Sequence, residues 1–142
     1  MAWLPISWAY VAGFFDGEGC VDCRVGRQTR GTIRRQSRLK IYQNRREVLD
    51  AIVTFLEIEG IKATVEIHHR PDRLKKGHSG SFALAVNGVA NVYKMLYAML
   101  PYLIVKNDEA IKAVEDIEER MAEIMEGTIT DGRVTRSFEG VS

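Results

Sequence analysis

The chain reads as an α+β domain in the order helix, strand pair, helix, strand pair, helix, helix. The expected sheet is four-stranded and antiparallel, with its helices on one face. Three observations predict this. Apolar residues recur at helical spacing in four separate stretches, the period drops to two in the runs between them, and glycine or proline marks most of the changes. Helices and an antiparallel sheet in this proportion favour two layers, which leaves one sheet face open. A length of 142 residues suits a single domain, assigned to residues 1–126, with a mixed-charge tail at 127–142 expected to be loosely ordered.

Taken in order, Ser7 can cap a first helix over about residues 7–16, with Trp8, Val11, Ala12 and Phe15 at helical spacing. Gly13 and Gly17 lie four apart on one face of it. Glycine inside a helix costs stability, so the spacing predicts close approach of another helix, here from a second subunit. From Cys20 to Val25 and from Thr32 to Tyr42 the period is two, with the Arg27–Gly31 stretch as the loop of a hairpin. Asn44 and Glu47 are spaced as a capping box for a second helix carrying Val48, Leu49, Ile52, Phe55 and Leu56, which Gly60 ends. Ala63, Val65 and Ile67 mark a third strand, and Phe82, Leu84 and Val86 a fourth. A third helix runs from Val89 to Leu100 and stops at Pro101. The last, over Asn107–Met125, has Ala110, Ile111, Val114, Ile117, Met121 and Met125 on its apolar side.

The net charge of +1 hides a strong asymmetry. Nine basic residues and no acid fall between Arg24 and Arg46, whereas Asp108–Glu126 holds eight acids against Lys112 and Arg120. Charge distributed this way points to a polyanionic partner for one segment only. The second strand alternates Arg34, Gln36, Arg38 and Lys40 with Arg35, Ser37, Leu39 and Ile41, so its later half has a basic face and an apolar one. A sheet face of this kind can sit in the major groove of DNA, where arginine and glutamine are competent base readers. Asp22, Arg24 and Gln28 on the first strand, Arg30 in the hairpin, His68, Arg70, Arg73, Lys75 and Lys76 are expected to extend the surface. No run approaches the roughly eighteen apolar residues of a membrane span, and no basic leader is present. Cys20 and Cys23 form a lone CxxC with no second pair to complete a zinc site, and free thiols fit a reducing interior. The expected location is intracellular, in a prokaryotic cytoplasm or an organelle, without secretion.

Residues 11–19, VAGFFDGEG, closely resemble the nine-residue signature of the LAGLIDADG homing endonucleases. Val11, Phe14, Phe15, Gly17 and Glu18 are the mild departures from it, and the likeness extends to the strand and helix order over about residues 7–126. This resemblance implies a metal-dependent DNA endonuclease in which the signature helices of two units pack together and their saddle-shaped sheets straddle the major groove. The contact residues would be Trp8, Val11, Ala12, Gly13, Phe14, Asp16 and Gly17. By the same resemblance Glu18 is the ligand of a divalent metal, Mg²⁺ with Mn²⁺ or Ca²⁺ as substitutes. Asp16 would support the helix end, Gln43 would position water, and Lys106 would stabilise the strained phosphate or polarise that water. Short 3′ overhangs are a further implication.

Only one signature is present, and one acidic motif cannot reach both strands of a duplex. A homodimer acting on a long, roughly palindromic site follows. The competing expectations are an intron RNA maturase, a DNA-binding protein of the same fold without cleavage, and a scaffold that dimerises through its first helix. Salt-sensitive DNA binding separates the scaffold from the rest.

Overall fold

The computed structural model describes residues 6–27, 33–69 and 80–125. Along the chain these form α1 (Trp8–Glu18), β1 (Gly19–Arg27), β2 (Ile33–Gln43), α2 (Arg46–Ile58), β3 (Thr64–His69), β4 (Ser81–Asn87), α3 (Val89–Met99), a short 3₁₀ turn (Leu100–Tyr102) and α4 (Asn107–Met125). The strands make one antiparallel sheet in the order β1-β2-β4-β3. The hairpin loop at 28–32, the basic loop at 70–79 and the tail lie outside the described residues.

Register decides which side chains meet the helices. Leu39 and Ile41 of β2 pair with Val86 and Leu84 of β4, and all four are fully buried. Against this face pack Val11, Ala12 and Phe15 of α1, Leu49, Ile52 and Leu56 of α2, Val92, Met95, Leu96 and Met99 of α3, and Ala110, Ala113, Val114 and Ile117 of α4. No polar or charged residue is buried among the described residues. Burying a Val, Leu or Phe side chain contributes about 1.5–3 kcal/mol, whereas each glycine in a helix interior costs about 0.8–1 kcal/mol. Val11 and Phe15 therefore hold α1 in place despite its glycines.

Local chemistry sets most of the boundaries. The Ser7 hydroxyl accepts from the Tyr10 N–H at 3.2 Å and starts α1. Gly60, with φ of 79°, closes α2 while the Ile61 N–H returns to the Leu56 carbonyl at 2.8 Å. The capping box at Asn44 does not form. Arg45 takes the cap position without a side-chain bond, the Asn44 N–H is taken by Gln43 Oε1 at 2.9 Å, and Glu47 faces Arg45 at 3.5 Å. β3 begins one residue later than its apolar pattern and carries an irregularity between Ile67 and His69, and Ile67 is half exposed.

Candidate nucleic-acid interface and metal centre

α1 has two distinct sides. Val11, Ala12 and Phe15 face the core, while Gly13 and Gly17 are exposed, and a Cβ at either would meet nothing within 4 Å. Within one copy of the chain, nothing requires glycine at these two positions. Gly19 is different, because a Cβ there would run into the Phe15 ring. Val11 and Ala12 were expected at the subunit contact. They are instead sealed in their own core, as helical phase demands once Phe15 is buried. Trp8 is likewise turned inward, edge-on to Phe55 at 5.1 Å between ring centroids. What faces outward is Tyr10, Gly13 and Gly17, with Phe14 half buried and its ring centroid 6.1 Å from that of Tyr10.

Asp16 ties the end of α1 to the segment before α4. Its Oδ2 accepts from the Ile104 N–H at 2.8 Å and its Oδ1 from the Lys106 N–H at 3.0 Å, so both oxygens are committed within the chain rather than to a subunit contact. Lys106 Nζ in turn donates to the Asp16 carbonyl at 2.7 Å. Burial pushes the Asp16 carboxyl up, but the backbone N–H groups of residues 104–106 and the Lys106 charge outweigh it and hold the group below its ordinary value. Lys106 is thereby fixed at the last turn of α1, whose final residue is the exposed Glu18. Gly19 pairs with Ile41, so Gln43 stands two positions further along β2, at the same end of the sheet. Its side-chain oxygen is occupied by the Asn44 N–H. Glu18, Gln43 and Lys106 thus reach one end of the molecule from three elements. Ile104 and Val105, strongly exposed, lie next to the bonded Asp16.

The face of the sheet away from the helices is laid out in cross-strand rows. Asp22, Arg38 and Asn87 form one row, Cys20, Lys40, Ala85 and Thr64 the next, and Tyr42, Ala83 and Glu66 a third. Lys40 Nζ lies 2.8 Å from Glu66 Oε1, Arg38 Nε donates to Asn87 Oδ1 at 2.7 Å, and the Tyr42 and His68 rings sit 4.6 Å apart. The Lys40 hydrogen bond holds the Glu66 carboxyl below its ordinary value, against a smaller upward push from burial. Ala83 and Ala85 are almost fully buried on this face, floored between the longer residues of β2 and β3. In the register Arg24 pairs with Gln36 and Arg34 with Gly26. Gln28, Arg30, Arg70, Arg73, Lys75 and Lys76 lie outside the described residues. Glu66, Asn87 and Tyr42 escaped the sequence reading, because their place in the surface comes from pairing between strands distant in sequence.

A family model described as a LAGLIDADG-like domain matches residues 6–117. The chain belongs to the LAGLIDADG homing endonuclease family. Known structures agree on the fold. The homing endonuclease I-TnaI is 20% identical with a TM-score of 0.61, over 98% of this chain and all of that one. The archaeal intron-encoded homing endonuclease I-Vdi141I, solved in complex with DNA, is 21% identical with a TM-score of 0.62, over 94% of this chain and 80% of that one. The LAGLIDADG meganuclease I-CpaMI, bound to uncleaved DNA, is 12% identical with a TM-score of 0.66; the match covers 96% of this chain and 51% of that one. No curated protein sequence matches the chain.

As a LAGLIDADG domain, the chain offers a metal only a sparse set of ligands. Among the described residues no three His, Cys, Asp or Glu side chains are grouped closely enough to hold an ion. Glu18 presents one exposed carboxylate, and Asp16 beside it is already satisfied. This donor set fits a hard cation that keeps several waters and takes its other oxygens from phosphate, as Mg²⁺ does. It does not fit a zinc centre, which would need a closed shell of nitrogen or sulfur. Among the described residues no helix is long and apolar enough to cross a membrane.

Proposed function

We propose that the protein is a divalent-metal-dependent endonuclease that acts as a homodimer and cuts both strands of a long, near-palindromic DNA site, leaving short 3′ overhangs. The observation that carries this reading is the end of α1. A helix face bared by Gly13 and Gly17 leads directly to an exposed carboxylate at Glu18, with Lys106 anchored one turn away through Asp16. Packing that face against its twofold mate sets two Glu18 carboxylates near one axis. Tyr10 and the exposed Ile104–Val105 pair give the contact apolar area beside the glycines.

Each side chain then has a task. Glu18 would hold Mg²⁺, which would supply a nucleophilic water and neutralise charge on the phosphate and leaving oxygen. Lys106 offers a cation at the same end of the sheet for the charge that builds on the phosphate in the transition state. The amide of Gln43, anchored through its oxygen, keeps its NH₂ group for orienting water. The rows of the open sheet face meet the major groove, where Gln36, Arg38, Lys40 and His68 act beside Tyr42 and Thr64. Two carboxylates near one axis repel unless cations stand between them, so metal and DNA bind more tightly together than either does alone.

The deciding experiment is cleavage selection on a randomised, twofold-symmetric duplex library with Mg²⁺, beside a Glu18→Gln variant. Double-strand cuts by the natural sequence and none by the variant are expected. Sequence-selective binding by both proteins with cutting by neither would defeat the enzyme reading and leave a DNA-binding protein.

A further inference from the structure

The open sheet face carries an acid on a surface proposed to meet a polyanion. Glu66 of β3 lies against Lys40 of β2, with 2.8 Å between Oε1 and Nζ, although β4 runs between their strands. The two are diagonal neighbours, since Lys40 pairs with Ala85 and Glu66 with Ala83. Alanine at both β4 positions leaves room for the two long side chains to meet above that strand, and both alanines are almost fully covered. The hydrogen bond from Lys40 holds the Glu66 carboxyl below its ordinary value against burial, and the charges of Lys40, Arg38 and His68 act in the same direction. Glu66 is therefore a carboxylate near neutrality.

As a contributor to folding the pair is weak, because the Glu66 side chain is half exposed and ion pairs in water gain little. As a phosphate contact it is worse than lysine alone, because Glu66 cancels the charge that a phosphate would meet. What a cation and a carboxylate held together offer, and a lone lysine lacks, is a donor beside an acceptor at a set spacing.

One base pair presents the complementary pattern in the major groove. In G·C, guanine N7 and O6 accept and cytosine N4 donates. O6 and N4 are hydrogen-bonded to each other, so they lie about 2.9 Å apart, close to the 2.8 Å between Lys40 Nζ and Glu66 Oε1. An ammonium has three donors; with one on Glu66, two remain for O6 and N7, while the carboxylate keeps lone pairs for the N4 amino group. The reversed C·G pair sets that amino group against Lys40 and two acceptors against Glu66. T·A offers Lys40 only O4 and brings adenine N7 towards the carboxylate, and A·T sets a donor against Lys40. Direction follows from the strand order, with guanine on the β2 side and cytosine on the β3 side.

We infer that Lys40 and Glu66 together read one G·C base pair in each half of the target, Lys40 on the guanine and Glu66 on the cytosine. The inference rests on the DNA-binding reading above and deepens it, naming one base pair and adding an acid to the readers.

The test is equilibrium binding of the protein to the selected duplex and to its symmetric variants, each carrying one changed base pair in both halves. Ca²⁺ replaces Mg²⁺, and thermal melting is the folding control. The proteins compared are the natural sequence, Glu66→Gln, and the exchanged protein with Lys40→Glu and Glu66→Lys together. The natural protein is expected to prefer G·C at one pair in each half, with C·G there weakening binding about tenfold or more. The exchanged protein keeps its net charge and its ion pair, so its melting and salt dependence should hold while its preference at that pair turns to C·G. Glu66→Gln should flatten the preference at that pair alone. A folded exchanged protein with the natural preference at every pair would overturn the inference, as would one that loses preference evenly along the site. If the exchanged protein does not fold, Glu66→Gln decides, and an unchanged preference in it would overturn the inference equally. If the natural protein bound no duplex in a salt-sensitive way, the DNA-binding reading itself would fall, which is a separate result.

Discussion

Asp16 shows how one carboxylate can organise a site without entering it. Its two bonds from the Ile104 and Lys106 N–H groups, and the return bond from Lys106 Nζ, join the end of α1 to the start of α4. Hydrogen bonds to a charged group contribute about 1.5–3 kcal/mol, so Asp16→Asn is expected to cost about 2 kcal/mol in urea unfolding and to lower cleavage by loosening Lys106. The pH dependence has a definite sign. The folded-state pKa lies below the ordinary 3.8, so the stabilisation is present above that value and is lost as pH falls through the folded pKa. The gap between the natural protein and Asp16→Asn should therefore be constant near neutrality and close below about pH 3.8. The support that Asp16 gives the helix end was legible in the sequence because the signature places it there. The Asp16 bonds to residues 104–106 were not, since nothing local to either segment records that they meet.

At the scale of elements, α1 carries a testable contradiction between stability and function. Gly13 has open space around it, so Gly13→Leu is accommodated by a single copy and gains roughly 0.8 kcal/mol of helix propensity. The same side chain obstructs helix-to-helix approach. Under the proposed pairing, sedimentation should find the natural protein dimeric and Gly13→Leu monomeric, well folded by circular dichroism, and inactive on duplex DNA. The sheet offers a second case. Glu66 neutralises Lys40 on the face proposed to meet phosphate and base edges. Its exposed pairing is worth under about 1 kcal/mol to the fold, so Glu66→Gln should leave thermal stability almost unchanged. It should raise affinity for random duplexes more than for the selected site, lowering the ratio between them. The alternating pattern of β2 announced the basic face, whereas the Lys40–Glu66 and Arg38–Asn87 partners depend on the β2-β4-β3 order, which alternation within one strand does not encode.

For the whole molecule, the order of helices and strands was readable because each element is amphipathic with its own period, and turn residues separate them. The layer arrangement followed from the same pattern, since four apolar helical stripes and one apolar sheet face can be satisfied together only by stacking. The assignment of α1 faces was less legible. Val11 and Ala12 belong to the signature and were expected at the contact, but the core claims them because Phe15 lies on their side of the helix. A face narrowed to Gly13, Gly17 and Tyr10 still places Glu18 at its end, and the account depends on two copies supplying that carboxylate together. The most direct measurement co-folds equal amounts of natural and Glu18→Gln subunits and records double-strand cleavage of the selected site. Random pairing leaves about one quarter of the dimers with two Glu18 carboxylates, so cleavage should fall to about one quarter of that of the natural protein at equal total concentration. A fall to only about one half would mean that each copy cuts on its own, and would contradict the account.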